Sequence, residues 1–148
     1  MGRLCRLADM ANSYTLTIDV DAPVEVTWSV VSDPVGVTRW SPKYVECTLD
    51  GDVRTLRNAD GGVVAERFLE WSDDERRYRY TVIEGPPLAR HEAGFQVLAN
   101  GAGSTVIWDT DAVYLDESID TEARLAPAQR EGLERLRALC ESLAASRG

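Results

Sequence analysis

The sequence predicts an α+β fold: a strongly curved antiparallel sheet of seven strands, with one long C-terminal helix laid into its concave side. Three observations carry that expectation. Stretches of alternating polar and apolar residues, rich in β-branched and aromatic types, recur from Ser13 to Tyr114 and read as strands. Leu133, Leu136, Cys140 and Leu143 then follow one another at i, i+3, i+7 and i+10, the spacing of one apolar helix face. Two short helical segments interrupt the strands after the first. A half-buried sheet and a single amphipathic helix bury each other's apolar faces when the sheet bends around the helix. Such a sheet does not close fully, so a cavity between the two is expected.

The elements follow in order. SYTLTIDV, Ser13 to Val20, alternates as a first strand. Asp21 offers an N-cap and Pro23 sits in the first turn of a short helix over VEVTWSVVSD, where Trp28 and Val31 share one side. A brief second helical segment ends at RWSP, since Pro42 cannot continue a helix, and Tyr44 to Leu49 reads as the next strand. DVRTLRNADGGVVAERFLEW reads as a hairpin about Asp60-Gly61-Gly62, where glycines supply the positive φ of a tight turn. RRYRYTVIEG is a half-buried strand ended by Gly85-Pro86-Pro87. HEAGFQVLA and VIWDTDAVY, joined by NGAG, complete the sheet. From about Ile119 the chain turns helical, and Pro127 either opens the main helix or kinks it.

Composition narrows the function. The 148 residues suit one domain spanning 13–148, after a loose leader over residues 1–12 in which Met10 is an alternative start to Met1. Acidic residues outnumber basic ones by 25 to 16, which argues against nucleic acid and anionic membrane surfaces as partners. MGRLCRLADMA lacks the apolar core of a secretory signal, and no run approaches membrane-spanning length. Cys5, Cys47 and Cys140 match no metal or redox spacing and read as reduced thiols of a cytoplasmic protein, monomeric or homodimeric. One histidine and scattered carboxylates give no metal site, and the absence of G-x-G-x-x-G, P-loop and G-x-S-x-G patterns leaves no cofactor expected.

DAPVEVTW, WSP at 40–42, GGVVAERFLEWSDDERRYRYTV and GLERLRALCE, taken in this element order, resemble the START-related helix-grip superfamily, also called SRPBCC. Within it the chain looks most like the polyketide cyclase/dehydrase-type proteins, over about residues 13–145. The resemblance implies the helix-grip fold and a hydrophobic small-molecule ligand. AERFLEWSDDERRYRY is also similar to a stretch of the plant abscisic-acid receptors. That similarity implies an inward Glu66 with Tyr80 beside it, His91 and Ala93 at cavity positions, and an inward Asp109. RNADGG lacks the receptors' gate-loop residues, so a hormone-receptor role is not implied.

Side-chain chemistry gives the candidates. With a turn at Asp60-Gly61, Thr55 sits across from Glu66; with a turn at Gly61-Gly62, Arg57 does, and either way Thr55, Arg57 and Glu66 share a face. An arginine beside a buried glutamate would keep it ionised and offer a guanidinium to a substrate. Phe68-Leu69 marks a candidate bulge. His91, the sole histidine, opens the strand His91, Ala93, Phe95, Val97 with inward parity and is a candidate proton carrier with Glu66 or Asp109. For Asp109 and Asp111, alternation points outward while the family comparison turns Asp109 inward; Asp111 stays open. Trp40, Tyr44, Phe68, Tyr80 and Phe95 are candidate ligand-stacking aromatics.

The leading expectation is thus a cofactor-independent acid/base enzyme that cyclises, dehydrates or rearranges a polyketide-like substrate. Glu66, His91 and Asp109 would exchange protons, and Glu66→Gln and Asp109→Asn would each lose most turnover. The alternatives are a non-catalytic carrier or sensor of a hydrophobic ligand, and a partner-binding module of the co-chaperone-activator type. A cavity with several convergent titratable groups favours the first, and one with a single orienting group favours the second.

Overall fold

A computed structural model of the chain describes residues 12–147. The leader expected over residues 1–12, with Cys5 and Met10, lies outside the described residues except for Asn12. Strand β1 (Ser13–Val20) leads into helix α1 (Val24–Val31), and a single 3-10 turn over Gly36–Arg39 stands where a second short helix was expected. Six strands follow: β2 (Tyr44–Asp50), β3 (Val53–Asn58), β4 (Val63–Ser72), β5 (Arg77–Glu84), β6 (Leu88–Asn100) and β7 (Gly103–Tyr114). Helix α2 (Thr121–Arg147) ends the described chain. The sheet is antiparallel throughout, in the order β1-β7-β6-β5-β4-β3-β2, so every neighbour but β1 beside β7 is also a sequence neighbour.

The helix ends differ in part from expectation. Pro23, not Asp21, is the N-cap of α1, without a side-chain cap, while the Asp21 amide donates to Glu141 Oε2 at 2.8 Å and ties the loop to α2. Asp120 caps α2 through its Oδ1, which accepts from the Ala123 amide at 3.2 Å. Pro127 lies inside α2 rather than opening it.

The predicted stripe of α2 packs on the sheet: Leu133, Leu136 and Cys140 are buried, and Leu143 lies partly buried against the same core. α1 packs over the other end of the concave face. There Thr27 Oγ1 donates to Ser104 Oγ at 2.7 Å, and Ser104 Oγ passes its own proton to the Ala22 carbonyl at 2.9 Å, so both buried hydroxyls are satisfied. Trp28 and Trp71 donate to the same Asp73 Oδ1, at 3.1 and 3.3 Å, and pin α1 to the β4–β5 turn. With α1 filling one end, the space under α2 at the other end stays open.

Candidate functional site

That open space is a cavity of about 700 Å³ between the concave face and α2. Each long strand supplies inward residues at alternate positions: Leu56 from β3, Val64 and Glu66 from β4, Tyr80 and Val82 from β5, His91 and Phe95 from β6, Trp108 and Tyr114 from β7. Trp40 and Tyr44 close it from the chain after the 3-10 turn, and Leu125, Ala128, Gln129 and Gly132 from α2. Gly132 packs directly against Trp40: a Cβ there would meet its ring at 3.4 Å. Phe95 and Trp108 stack with centroids 4.5 Å apart, and Trp40 stands edge-on to both, making an aromatic cluster in the cavity wall.

One ion pair is buried in the cavity wall. Arg54 Nε donates to Glu66 Oε1 at 2.8 Å, with the two side chains only 5% and 8% exposed. Arg54 Nη1 also donates to the Pro34 carbonyl at 3.1 Å, and the guanidinium lies 5.0 Å from the Phe68 ring centroid and 5.5 Å from that of Tyr80. Burial is the largest influence on the guanidinium and would depress its pKa, but the Glu66 charge and hydrogen bond together with the Tyr78 and Tyr80 phenols outweigh it and carry it above its ordinary value. Burial likewise raises the Tyr44 and Tyr80 phenols, with the Glu66 charge adding to it, so both remain neutral donors.

His91 sits on the same wall. Its Nδ1 accepts the Val82 amide at 3.1 Å, and Val82 is the register partner of Glu66. An Nδ1 that accepts a hydrogen bond leaves the proton of the neutral ring on Nε2, so His91 presents a donor. Burial pushes its pKa down to about 4, against the opposing pull of Asp111 and Glu92.

Glu66, His91, Trp40, Tyr44, Tyr80 and Phe95 therefore share one cavity. Five other candidates do not. Thr55 and Arg57 lie on the opposite face from Glu66: Thr55 pairs with Ala65, Arg57 with Val63, and Arg57 bonds the exposed Glu46. The hairpin loop runs over residues 59–62, closed by the Asn58 amide bonding the Gly62 carbonyl, so the pairing slips one residue from an Asp60-Gly61 turn and three from a Gly61-Gly62 turn, and Arg54 takes the place across from Glu66. A one-residue slip reverses the face of every side chain. Phe68 lies beside the cavity, packed edge-on against Trp71 and Tyr78, with the predicted bulge following it.

Asp109 and Asp111 point away from the cavity. β7 pairs with β6 without interruption from Arg90↔Val113 to Asn100↔Gly103, so strict alternation holds and its even-numbered residues face inward. On the outer face Arg79 grips Asp109 with two bonds, at 3.1 and 3.0 Å, and Glu92 with a third at 2.7 Å. Asp111 receives bonds from Arg90 at 2.9 Å and from Ser13 at 3.0 Å, which hold its carboxyl below the usual range. An inward Asp109 is thereby corrected. Asp109→Asn is expected to change unfolding free energy by no more than about 1 kcal/mol, as for a part-exposed pair, and to leave ligand binding intact; urea titration and binding measurements check both.

Arg54 is the residue that sequence reasoning missed. Its signal was present in VRTLRN, where Arg54 shares parity with Leu56 and Leu56 is fully buried. Gln129 was missed as well: its Oε1 accepts from Tyr14 at 2.6 Å and its Nε2 donates to Thr110 at 3.2 Å, fixing its amide over the cavity.

A helix gripped by a curved sheet with a large, mainly apolar cavity between them defines the START-related pocket proteins. The chain belongs to the family described as polyketide cyclase / dehydrase and lipid transport, whose model matches residues 12–141. Solved structures agree on the fold. The protein XoxI from Bacillus cereus is 25% identical with a TM-score of 0.81, over 88% of this chain and 96% of that one. The Zhui aromatase/cyclase from Streptomyces sp. is 17% identical with a TM-score of 0.76, over 87% and 93%. A START superfamily protein from Mycobacterium smegmatis is 18% identical with a TM-score of 0.68, over 92% and 99%. No curated protein matches the chain. Among the described residues no helix is long and apolar enough to cross a membrane, and no cluster of side chains could hold a metal ion.

Proposed function

We propose that the protein is a cofactor-independent acid/base enzyme that enolises, and so cyclises or dehydrates, a flat hydrophobic ketone of the polyketide type. The observation that carries this reading is the pairing, on one apolar wall, of an ion-paired carboxylate with a histidine whose free ring nitrogen is a donor. Glu66 takes a proton from the carbon next to the substrate carbonyl, and the released electron pair moves onto that carbonyl as an enolate. His91 Nε2–H donates to the oxygen where this charge develops. The enolate carbon then attacks a second carbonyl of the same molecule, Glu66 returns the proton to the new alkoxide, and loss of water completes a dehydration. His91 acts as a polarising donor here rather than as a proton carrier paired with Asp109. The ring faces of the Trp40, Phe95 and Trp108 cluster suit contact with a planar aromatic substrate.

A second reading, carriage of the same ligand without chemistry, is favoured by one observation: Arg54 already engages Glu66, so the cavity holds few uncommitted charges. Either reading accounts for the cavity, which a partner-binding module would not need. A cytoplasmic setting belongs to the same proposal, supported by Cys47 and Cys140 both being free thiols.

The test uses 2-acetonaphthone in deuterated water, with exchange of its methyl protons followed by NMR. Wild type is expected to accelerate exchange, and Glu66→Gln and His91→Asn each to slow it by about a hundredfold while still binding the ketone. Binding without acceleration in wild type would leave carriage as the function.

A further inference from the structure

Tyr80 is buried on the cavity wall, yet its hydroxyl is only half used. Trp108 Nε1 donates to Tyr80 Oη at 3.1 Å, which engages the oxygen as an acceptor. No described residue accepts the phenol's own proton. Contacts on its flanks fix the aim of the ring. Its register partner on β6 is Ala93, and its hydroxyl reaches past β6 to Trp108 on β7. It also contacts the Arg54 guanidinium, 5.5 Å from its centroid, and the His91 ring, with centroids 5.7 Å apart. A ring so fixed has little freedom to turn its hydroxyl elsewhere, and a phenol that accepts a hydrogen bond becomes a stronger donor.

Resting on the enolising function proposed above, we propose that Tyr80 O–H and His91 Nε2–H form a two-donor hole for a single substrate carbonyl oxygen, with Trp108 as the residue that positions Tyr80. The site then selects ligands that place a carbonyl or oxyanion at the end of a flat aromatic body over hydrocarbons of the same shape. Two donors share the developing negative charge, and the low polarity of the surrounding wall strengthens each. Burial, with the Glu66 charge adding to it, keeps the phenol protonated across the ordinary pH range and so available as a donor.

The probes are 2-acetonaphthone and 2-ethylnaphthalene, matched in shape and differing in the carbonyl. Calorimetry is expected to show wild type favouring the ketone, Tyr80→Phe losing about tenfold of that preference, and the hydrocarbon binding equally to both. Trp108→Phe, which keeps the Tyr80 hydroxyl but frees it, is expected to lose part of the preference. The carbonyl stretch of the bound ketone, carbon-13 labelled, should lie below its value in an apolar solvent in wild type and move back up in Tyr80→Phe. A structural role for the hydroxyl would leave that frequency unmoved. An unchanged preference and frequency in Tyr80→Phe overturns the donor assignment even if Glu66→Gln abolishes proton exchange. A wild type that binds the two probes equally overturns it too, whereas retained selectivity without exchange supports the hole and removes only the enzymatic reading.

Discussion

Arg54→Met is expected to lower the unfolding free energy by about 3–5 kcal/mol, because it leaves the Glu66 carboxylate buried without its partner. The variant also strips the Pro34 carbonyl of its bond from Nη1, so the turn before the 3-10 segment loosens with it. The double variant Arg54→Met/Glu66→Leu is expected to recover most of the loss, since two apolar side chains of similar volume need no solvation. Urea titration followed by tryptophan fluorescence reads both, and an unchanged slope would show that stability alone has moved. A cost below about 1 kcal/mol for the single variant would mean that water entering the cavity solvates Glu66, and the pair would then be a surface feature of the cavity. The outcome bears on mechanism as well. A carboxylate that depends on Arg54 for its burial is one whose orientation the arginine sets, and that orientation is what proton abstraction requires.

The stability of the wild type is expected to fall as pH drops from 6.5 toward about 4, and His91→Asn is expected to remove that part of the fall. In the unfolded chain the imidazole binds a proton at its ordinary value near 6.5, whereas burial delays this in the folded protein to about 4. Between the two the unfolded state holds more protons, so acid favours unfolding; the contribution is complete above 6.5 and gone below about 4. The shift sets a ceiling of about 3 kcal/mol. The charges of Asp111 and Glu92 act in the other direction and keep the shift from being larger. Denaturant titrations across this range, with the variant subtracted from wild type, measure the effect. The same neutrality predicts that proton exchange of the bound ketone shows no inflection from His91 near neutral pH. An imidazole that titrated there would contradict the neutral ring, because protonation at Nδ1 breaks the bond it accepts from the Val82 amide.

The element order, the seven strands and the apolar stripe of α2 were legible because each depends on local periodicity and on turn residues. His91, Tyr80 and Phe95 could be placed for the same reason: each falls on an uninterrupted strand with one apolar parity. The partner of Glu66 was not legible. It depends on whether the hairpin loop holds two residues or the four of 59–62, and Asp60, Gly61 and Gly62 are compatible with either. In the longer loop Asp60 Oδ1 accepts the Gly62 amide at 2.9 Å, a local bond that strand alternation does not reveal.

Asp109 shows the opposite case. Alternation along β7 placed it outside, and the family comparison pulled it inward; the unbroken pairing with β6 follows alternation. Sequence by itself thus determined the sheet, the helix that fills it and the inward parity of each regular strand, since these follow from residue-by-residue hydrophobicity. Tertiary structure alone decided which arginine meets Glu66, that Arg79 holds Asp109 on the outer face, and that the His91 ring spends Nδ1 on a backbone amide. Each of those turns on the register between strands, a long-range quantity that one residue of loop length can invert.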